Sequence, residues 1–436
     1  MALEREDMER RRQKREEAKR RLRRHRQRTL LLAAVALVVL IGCGVLIARL
    51  ASKEPTAPST SINAAAEATE ATTASTETTG AGRRTKDPVT KIHIRAVGDL
   101  NITNASVDAG LAVTGYDYTR AFMDVAAELA NADVTVMNIE GSFCGEPYGS
   151  ETASAPTELI TYLKSAGVDL VQMANSYSVY NGLIGLNSTL TNIRSAGIEP
   201  LGAYANTSDF NKTGGYTICD VQGIKVAFVA FTKGVGGMGM PAGSEECVNL
   251  LYTDYDKDYK QINRKGITSI LSKVAAEKPD LTVAMLHWGS ENNDQISKTQ
   301  TQILELMQKN GVDVILGTHP HLVQQIELNE KTGTLVAYSL GDFFGDAKLG
   351  GSNYSIILDI EVTKDADLKT TKVTNYSYIP IYTVKEDEGD GYRRVVRINE
   401  AMYAYENNYV DKVTADCYTG MKKALERIES RISGKG

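Results

Sequence analysis

The chain has 436 residues, with 49 Lys+Arg against 54 Asp+Glu and a formal net charge of −5. Residues 1–28 hold 13 basic and 6 acidic side chains, a net of +7, which leaves −12 on the remainder. A basic head on an acidic body excludes a uniformly basic nucleic-acid binder. Apolar residues at 42% and aromatics at 7% exclude wholesale disorder, and the length suggests roughly two to three domain-sized units.

After the head, Thr29–Ala48 (TLLLAAVALVVLIGCGVLIA) carries no charged residue. At about 1.5 Å rise per residue it spans about 30 Å, a hydrocarbon core's thickness, and predicts an N-terminal transmembrane helix. The positive-inside rule keeps residues 1–28 cytoplasmic and puts the body outside the cell. A competing reading is a lipoprotein: Leu40-Ile41-Gly42-Cys43 resembles a bacterial lipobox. Apolar sequence continues past Cys43 to Ala48, and the head is long for a signal peptide, so an uncleaved single-pass anchor is the expectation. Residues 49–90 are rich in Ala, Ser, Thr and Glu and lack aromatics. Such a segment cannot bury enough apolar area to offset its ordering entropy. It reads as a disordered stalk, roughly 35 Å end to end as a coil and roughly 130 Å stretched.

From residue 91 short apolar runs alternate with helical patterns. The runs Ile92–Val97, Val134–Met137, Leu170–Met173, Val226–Phe231, Leu281–Leu286, Val312–Leu316 and Leu335–Tyr338 read as buried strands. Helices are expected over Tyr118–Ala130, Thr157–Ala166, Gly185–Ala196, Tyr255–Ala276 and Ser297–Asn310, several closed by Gly or Asn. The alternation predicts an α/β domain over 91–350. The segment 351–436 reads as a strand-rich extension (Ser355–Val362, Thr371–Val384, Tyr392–Ile398) and a C-terminal helix ending in Tyr418–Ile432.

Ligands in open α/β sheets collect at the carboxyl ends of strands. Asp99, Asn101, Asn138, Glu140, Asn175, His287, His319, His321 and Asp342 all fall at or just after such ends. Apart from His25 in the head and His93 within a strand, every one of the five histidines is in this set. Imidazoles and carboxylates together suit Zn, Mn or Fe, and such a set can hold one or two ions that activate water and clamp an oxyanion. Each member also has a plain reading. Gly98-Asp99 is a common turn, Glu140 can cap a helix or pair with a lysine, and His287 beside Trp288 can be a packed, hydrogen-bonded histidine. His319-Pro320-His321 is more telling, because proline fixes the backbone between two imidazoles and lets both face one pocket.

The stretches AVGDLNIT (96–103), MNIEGSF (137–143), LHWGSE (286–291), LGTHPHLVQQIE (316–327) and VAYSLGDFF (336–344), in this order, resemble the bacterial capsule-synthesis (CapA/PgsA-like) family associated with poly-γ-glutamate. The resemblance covers about residues 91–345. It implies a calcineurin-like metallophosphoesterase architecture, a sandwich of two β-sheets flanked by helices. Asp99, Glu140, His287, His319 and His321 become metal-site candidates, with the three histidines also catalytic. Asn101 and Asn138 become polar supports, Asn101 also a weak ligand. Asp342 stands where the family usually has Asn, which adds a carboxylate. The larger departure is ANSYSVYNG (174–182), where the family has Ala-Asn-Asn-His, then Asp, then Gly. Asn175 and Gly182 match, while Ser176, Tyr177 and Tyr180 do not. Serine is a poor metal ligand, and a tyrosine with pKa about 10 is a poor general acid–base near neutrality, though its hydroxyl still donates a hydrogen bond.

The Gly-rich stretch Gly234–Gly243 lacks a P-loop's Gly-Lys-Ser/Thr and reads as a mobile rim loop. Cys144, Cys219, Cys247 and Cys417 allow two disulfides in three connectivities, or free buried thiols. Two functions are therefore expected. One is an extracellular, membrane-anchored factor aiding synthesis or export of an anionic capsular polymer such as poly-γ-glutamate, partnered by that polymer or its membrane synthase and by no nucleic acid. The other is a metal-dependent envelope hydrolase acting on a phosphoester or amide bond.

Overall fold

The computed structural model describes residues 89–348, 350–409 and 413–434. The basic head, the membrane-helix candidate 29–48 with Cys43, and the stalk as far as residue 88 lie outside the described residues. Among those described, no helix is long and apolar enough to cross a membrane.

In chain order the strands are β1 (Val89–Asn101), β2 (Val134–Glu140), β3 (Leu170–Gln172), β4 (Glu199–Leu201), β5 (Thr217–Val221), β6 (Ile224–Thr232) and β7 (Leu281–His287). They continue as β8 (Val314–Thr318), β9 (Ile326–Asn329), β10 (Thr334–Ala337), β11 (Asp342–Phe344), β12 (Tyr354–Asp365), β13 (Thr370–Val384) and β14 (Arg394–Arg397). They form two sheets, giving a mixed α/β two-sheet fold. The first runs β14-β13-β12-β1-β2-β3-β4, with β11 also paired to β1; the second runs β5-β6-β7-β8-β10-β9. The segment past Gly350 is continuous with the body, since β12 lies antiparallel along β1, Ile357–Asp365 against Val89–Val97. Val89 and Thr90, expected in the stalk, already belong to β1.

Period-two alternation lays down the layers. In β6, Val226, Phe228 and Ala230 join the large core that also holds the first sheet's Ile94, Ala96 and Val136. The intervening Ala227, Val229 and Phe231 pack with Ile267, Leu271 and Val274 of the helix Arg264–Ala276 and Ile303 and Met307 of the helix Lys298–Lys309. β7 divides likewise, Val283 and Met285 one way, Ala284 and Leu286 the other. Fully burying one such side chain contributes about 1.5–3 kcal/mol, so these alternating faces fix which way each strand end presents its polar residues.

The helix expected over Tyr255–Ala276 starts only at Arg264. Asp254 accepts the backbone N–H groups of Lys260 and Gln261, both at 2.9 Å. Such local side-chain bonds compete with helix formation. Asn263 then caps the helix by accepting from Gly266 N at 3.0 Å. The four body cysteines are free thiols, Cys247 and Cys417 buried, Cys144 and Cys219 half-buried; the disulfide alternative is not realised.

Candidate metal centre

β1, β2, β3 and β4 run parallel, as do β6, β7, β8 and β10. Parallel strands end on one edge, and the polar residues follow. Asp99 and Asn101 close β1, Asn138 and Glu140 close β2, Asn175 follows β3, His287 ends β7, His319 and His321 follow β8, and Asp342 opens β11.

A bulge sets the first ligand candidate. The β1–β2 register pairs Val97 with Met137 and then Asp99 with Asn138, skipping Gly98. A bulge re-aims the residue beside it; in an unbroken register Gly98 would oppose Asn138 and Asp99 would oppose Ile139. Opposite Asn138, the Asp99 carboxylate is gripped from two sides, by Asn138 Nδ2 at 2.6 Å and His319 N at 3.0 Å. Gly98 is required here: a Cβ would lie 1.8 Å from Gly341 O, and Asp99 N donates to that same oxygen at 2.9 Å. Asn175 braces the next layer, donating Nδ2 to Ile139 O at 2.7 Å and to Asn138 Oδ1 at 3.1 Å.

The imidazoles arrive from the second sheet. His287 is buried, with Nδ1 3.2 Å from Thr318 Oγ1 and Nε2 3.1 Å from Ser176 Oγ. His319 and His321 both take left-handed backbone conformations, φ 90° and 60°. For non-glycine residues these conformations cost on the order of 1–3 kcal/mol each and cluster at functional sites. The turn brings the His319 ring centroid within 4.5 Å of that of His287 and 6.1 Å of that of His321. Asp342 Oδ1 accepts from His321 Nδ1 at 2.7 Å. That bond commits Nδ1 as donor, so Nε2 is the atom that would ligate an ion, a carboxylate–imidazole pairing typical around metals.

Three sets of potential ligands have donor atoms within 4.8 Å of one another: Glu140–His287–His319, Asp99–Glu140–His321 and Glu291–His319–His321. Glu140, His319 and His321 each belong to two sets, the arrangement a two-ion site needs from a shared carboxylate. Two buried atoms, Glu140 Oε1 and His319 Nδ1, have no hydrogen-bond partner. Buried polar atoms are almost always paired, and a divalent cation is the partner this donor set fits.

The charge balance agrees. Burial pushes the Glu140 carboxyl well above its usual range, and burial with the neighbouring Asp342 pushes Asp99 up to about 6, against the pull of His321. Burial holds His287 and His319 well below the ordinary imidazole value, hence neutral and able to ligate. His321 is the reverse: burial opposes its charge, but Asp342, Glu140 and Asp99 outweigh it and raise the ring to about 11. Without a cation, His321 carries the positive charge that so many carboxylates demand.

These groups face a cavity of about 850 Å³. Asn101, Glu140, Tyr177, His319, His321 and Asp342 line it, while Asp99, Asn138, Asn175 and His287 lie behind that wall. Tyr177 pairs with Tyr180, ring centroids 5.5 Å apart. Burial and Glu140 push its hydroxyl up to about 12, so it stays a donor. Gly234, Gly236, Gly237 and Met238 of the Gly-rich stretch form part of the rim.

The match to known proteins covers the same region. The profile of the bacterial capsule synthesis protein family PGA_cap aligns with residues 93–347. The chain belongs to the bacterial capsule synthesis protein family. It is 29% identical to the PGA biosynthesis protein CapA of Bacillus subtilis over 43% of this chain and 46% of that protein. It is 27% identical to the capsule biosynthesis protein CapA of Bacillus anthracis over 53% of this chain and 54% of that protein. The chain thus spans about half the length of the curated relatives it matches. Among solved structures it is distantly similar to the calcineurin-like phosphoesterase YfkN of Bacillus subtilis, at 16% identity and a TM-score of 0.41 over 78% of this chain and all of that one (100%).

Two residues at the site escaped the sequence reading, and a third was read only as a departure from the family's pattern. Glu291 lies in the LHWGSE stretch but off any strand end. Ser176, taken as a lost ligand, contacts His287. Lys233 follows β6 and lines the cavity. Only the place of Lys233 just after an apolar run could have signalled it.

Proposed function

We propose that this chain acts at the outer face of a bacterial membrane, anchored through residues 29–48 with its N-terminus cytoplasmic. There it aids the synthesis or export of an anionic capsular polymer such as poly-γ-glutamate, with that polymer or its membrane synthase as partner. The family and the names of its curated relatives support the capsular role. One observation carries the chemistry: Glu140 Oε1, 3.5 Å from His287 Nδ1, and His319 Nδ1 are buried without a hydrogen-bond partner and sit within shared ligand sets. Asp99, Glu140, His287, His319 and His321 would hold one or two divalent ions, Mn, Zn or Fe by donor type. Such an ion, when bound, polarises a carbonyl or phosphoryl oxygen and lowers the pKa of water. The chain's own groups do the rest. Asp342 fixes the His321 tautomer, Asn138 and Asn175 hold Asp99 and β2 in place, and the Tyr177 hydroxyl donates into the cavity.

The same observation favours a second reading, a metal-dependent envelope hydrolase acting on a phosphoester or amide bond. Metal analysis of the full-length chain in detergent, joined to a turnover screen with Mn²⁺ or Zn²⁺ and a capsule assay in cells, separates the two. Stoichiometric metal with turnover abolished by His319→Ala makes the chain a hydrolase. Capsule lost in His319→Ala without turnover in either form supports the assembly role. A metal-free wild-type chain, with full capsule in His319→Ala cells, rejects the metal site in both.

A further inference from the structure

The cavity is crowded with carboxylates, yet the proposed ligand is itself an anion. Among the described residues lining it, Lys233 is the only lysine or arginine. Its place is fixed at both ends. Its backbone N–H donates to His287 O at 2.8 Å, extending the β6–β7 ladder by one residue. Its side chain is half-buried, with Nζ donating to Gly289 O at 2.7 Å and lying 4.7 Å from the Tyr259 ring centroid. Neither partner is an anion, and among the described residues no carboxylate is in ion-pair contact with that ammonium. A partly buried charge is ordinarily paired. Its field also reaches the metal-site imidazoles, adding to burial in keeping His319 and His287 neutral.

We infer that Lys233 is the substrate anchor of this site: its ammonium takes an oxyanion of the bound molecule and sets that molecule's register against the His319–His321 wall. The Tyr259 face and Gly289 carbonyl hold the ammonium in place without neutralising it, and the exposed Glu291 carboxylate favours its charge from outside ion-pair contact, so the ammonium has room to take a ligand oxyanion. The inference rests on the proposed reading for its choice of a carboxylate-bearing chain. The shared chemistry is a carboxylate or a phosphate oxyanion. Lys233 is a positioning residue here, since the chemistry lies at the imidazoles and carboxylates beyond it.

The test is calorimetric titration of the full-length chain in detergent with three probes: a γ-glutamyl trimer, the same trimer with its carboxyls amidated, and inorganic phosphate. Wild type, Lys233→Met and Lys233→Arg are compared. The charged trimer is expected to bind at least tenfold more weakly to Lys233→Met and within about threefold of wild type to Lys233→Arg. Binding is expected to weaken with salt. The amidated trimer should bind both variants as it binds wild type, and metal content and Tm should not change. Loss confined to phosphate keeps Lys233 as the anchor and instead refutes the polymer reading. Lys233→Met binding both anions within twofold of wild type, or a wild type that binds neither, overturns the inference.

Discussion

The two sheets contribute opposite halves of one site. The first supplies oxygen: Asp99, Glu140 and Asp342, steadied by the amides of Asn138 and Asn175. The second supplies mainly nitrogen: His287 from a strand end, His319 and His321 from a strained turn, with the exposed Glu291 carboxylate beside them. Alone, the first half would be a knot of buried carboxylates, each raising its neighbours' pKa. Alone, the second would be neutral imidazoles with an unpartnered nitrogen. The site exists only where the apolar faces of the sheets hold the halves together, so the hydrophobic core is a condition of the chemistry. Each half also has a different weakness. The oxygen half depends on one bulge, the nitrogen half on two left-handed residues.

The largest expected effect comes from removing the buried carboxylate that two ligand sets share. Glu140→Gln strips a ligand from two sets at once. Metal affinity is expected to fall by about a thousandfold or more, read by metal content after dialysis, while Tm without metal holds or rises because a buried carboxylate is gone. Separating the halves comes next. Gly98→Ala puts a Cβ against Gly341 O and is expected to cost about 3 kcal/mol of stability, roughly a hundredfold in the folding equilibrium, measured by denaturant unfolding. An unchanged midpoint would mean the bulge is not needed. Asp342→Asn keeps the shape and removes the charge behind His321; about tenfold weaker metal binding is expected, with Tm within a degree or so.

The smallest effect is pH near neutrality. With Asp99 at about 6 in the metal-free protein, its proton must leave when it ligates. This group alone weakens metal binding about twofold from pH 7 to 6, and about tenfold per unit further down. The sign for folding without metal is opposite. A carboxyl raised above its ordinary value contributes stability that is full below about pH 4 and lost as pH rises through about 6. Titrations at several pH values with and without metal should show slopes of opposite sign from this group. Asp342→Asn, which removes one of the causes of the raised value, should move the midpoint downward.

Much of this was legible because strand burial and strand-end polarity are local signals. Val134–Met137 ending in Asn138 and Glu140, or Leu281–Leu286 ending in His287, announces both an element and a candidate ligand. β4, β9 and β11 were not legible, being three or four residues long and defined by their partners. The bulge at Gly98 was hidden because register is a property of two strands. The false helical start at Tyr255 came from counting apolar spacing while Asp254 was tying up the backbone. Lys233 and Glu291 became site residues only when the sheets met. Ser176 and Tyr177 were legible only as departures from the family's pattern; that Ser176 Oγ lies 3.1 Å from His287 Nε2 was not.

The chain crosses from β10 in the second sheet to β11 in the first between Ala337 and Asp342. On that crossing, Tyr338 O accepts from Trp288 Nε1 at 2.8 Å and Gly341 O from Asp99 N at 2.9 Å. An ion held between Glu140 and the imidazoles would act as a rivet across the same seam. Cation at a thousand times its dissociation constant adds about 4 kcal/mol against unfolding. The fold's resistance to being pried open would then rise with the metal content of its surroundings.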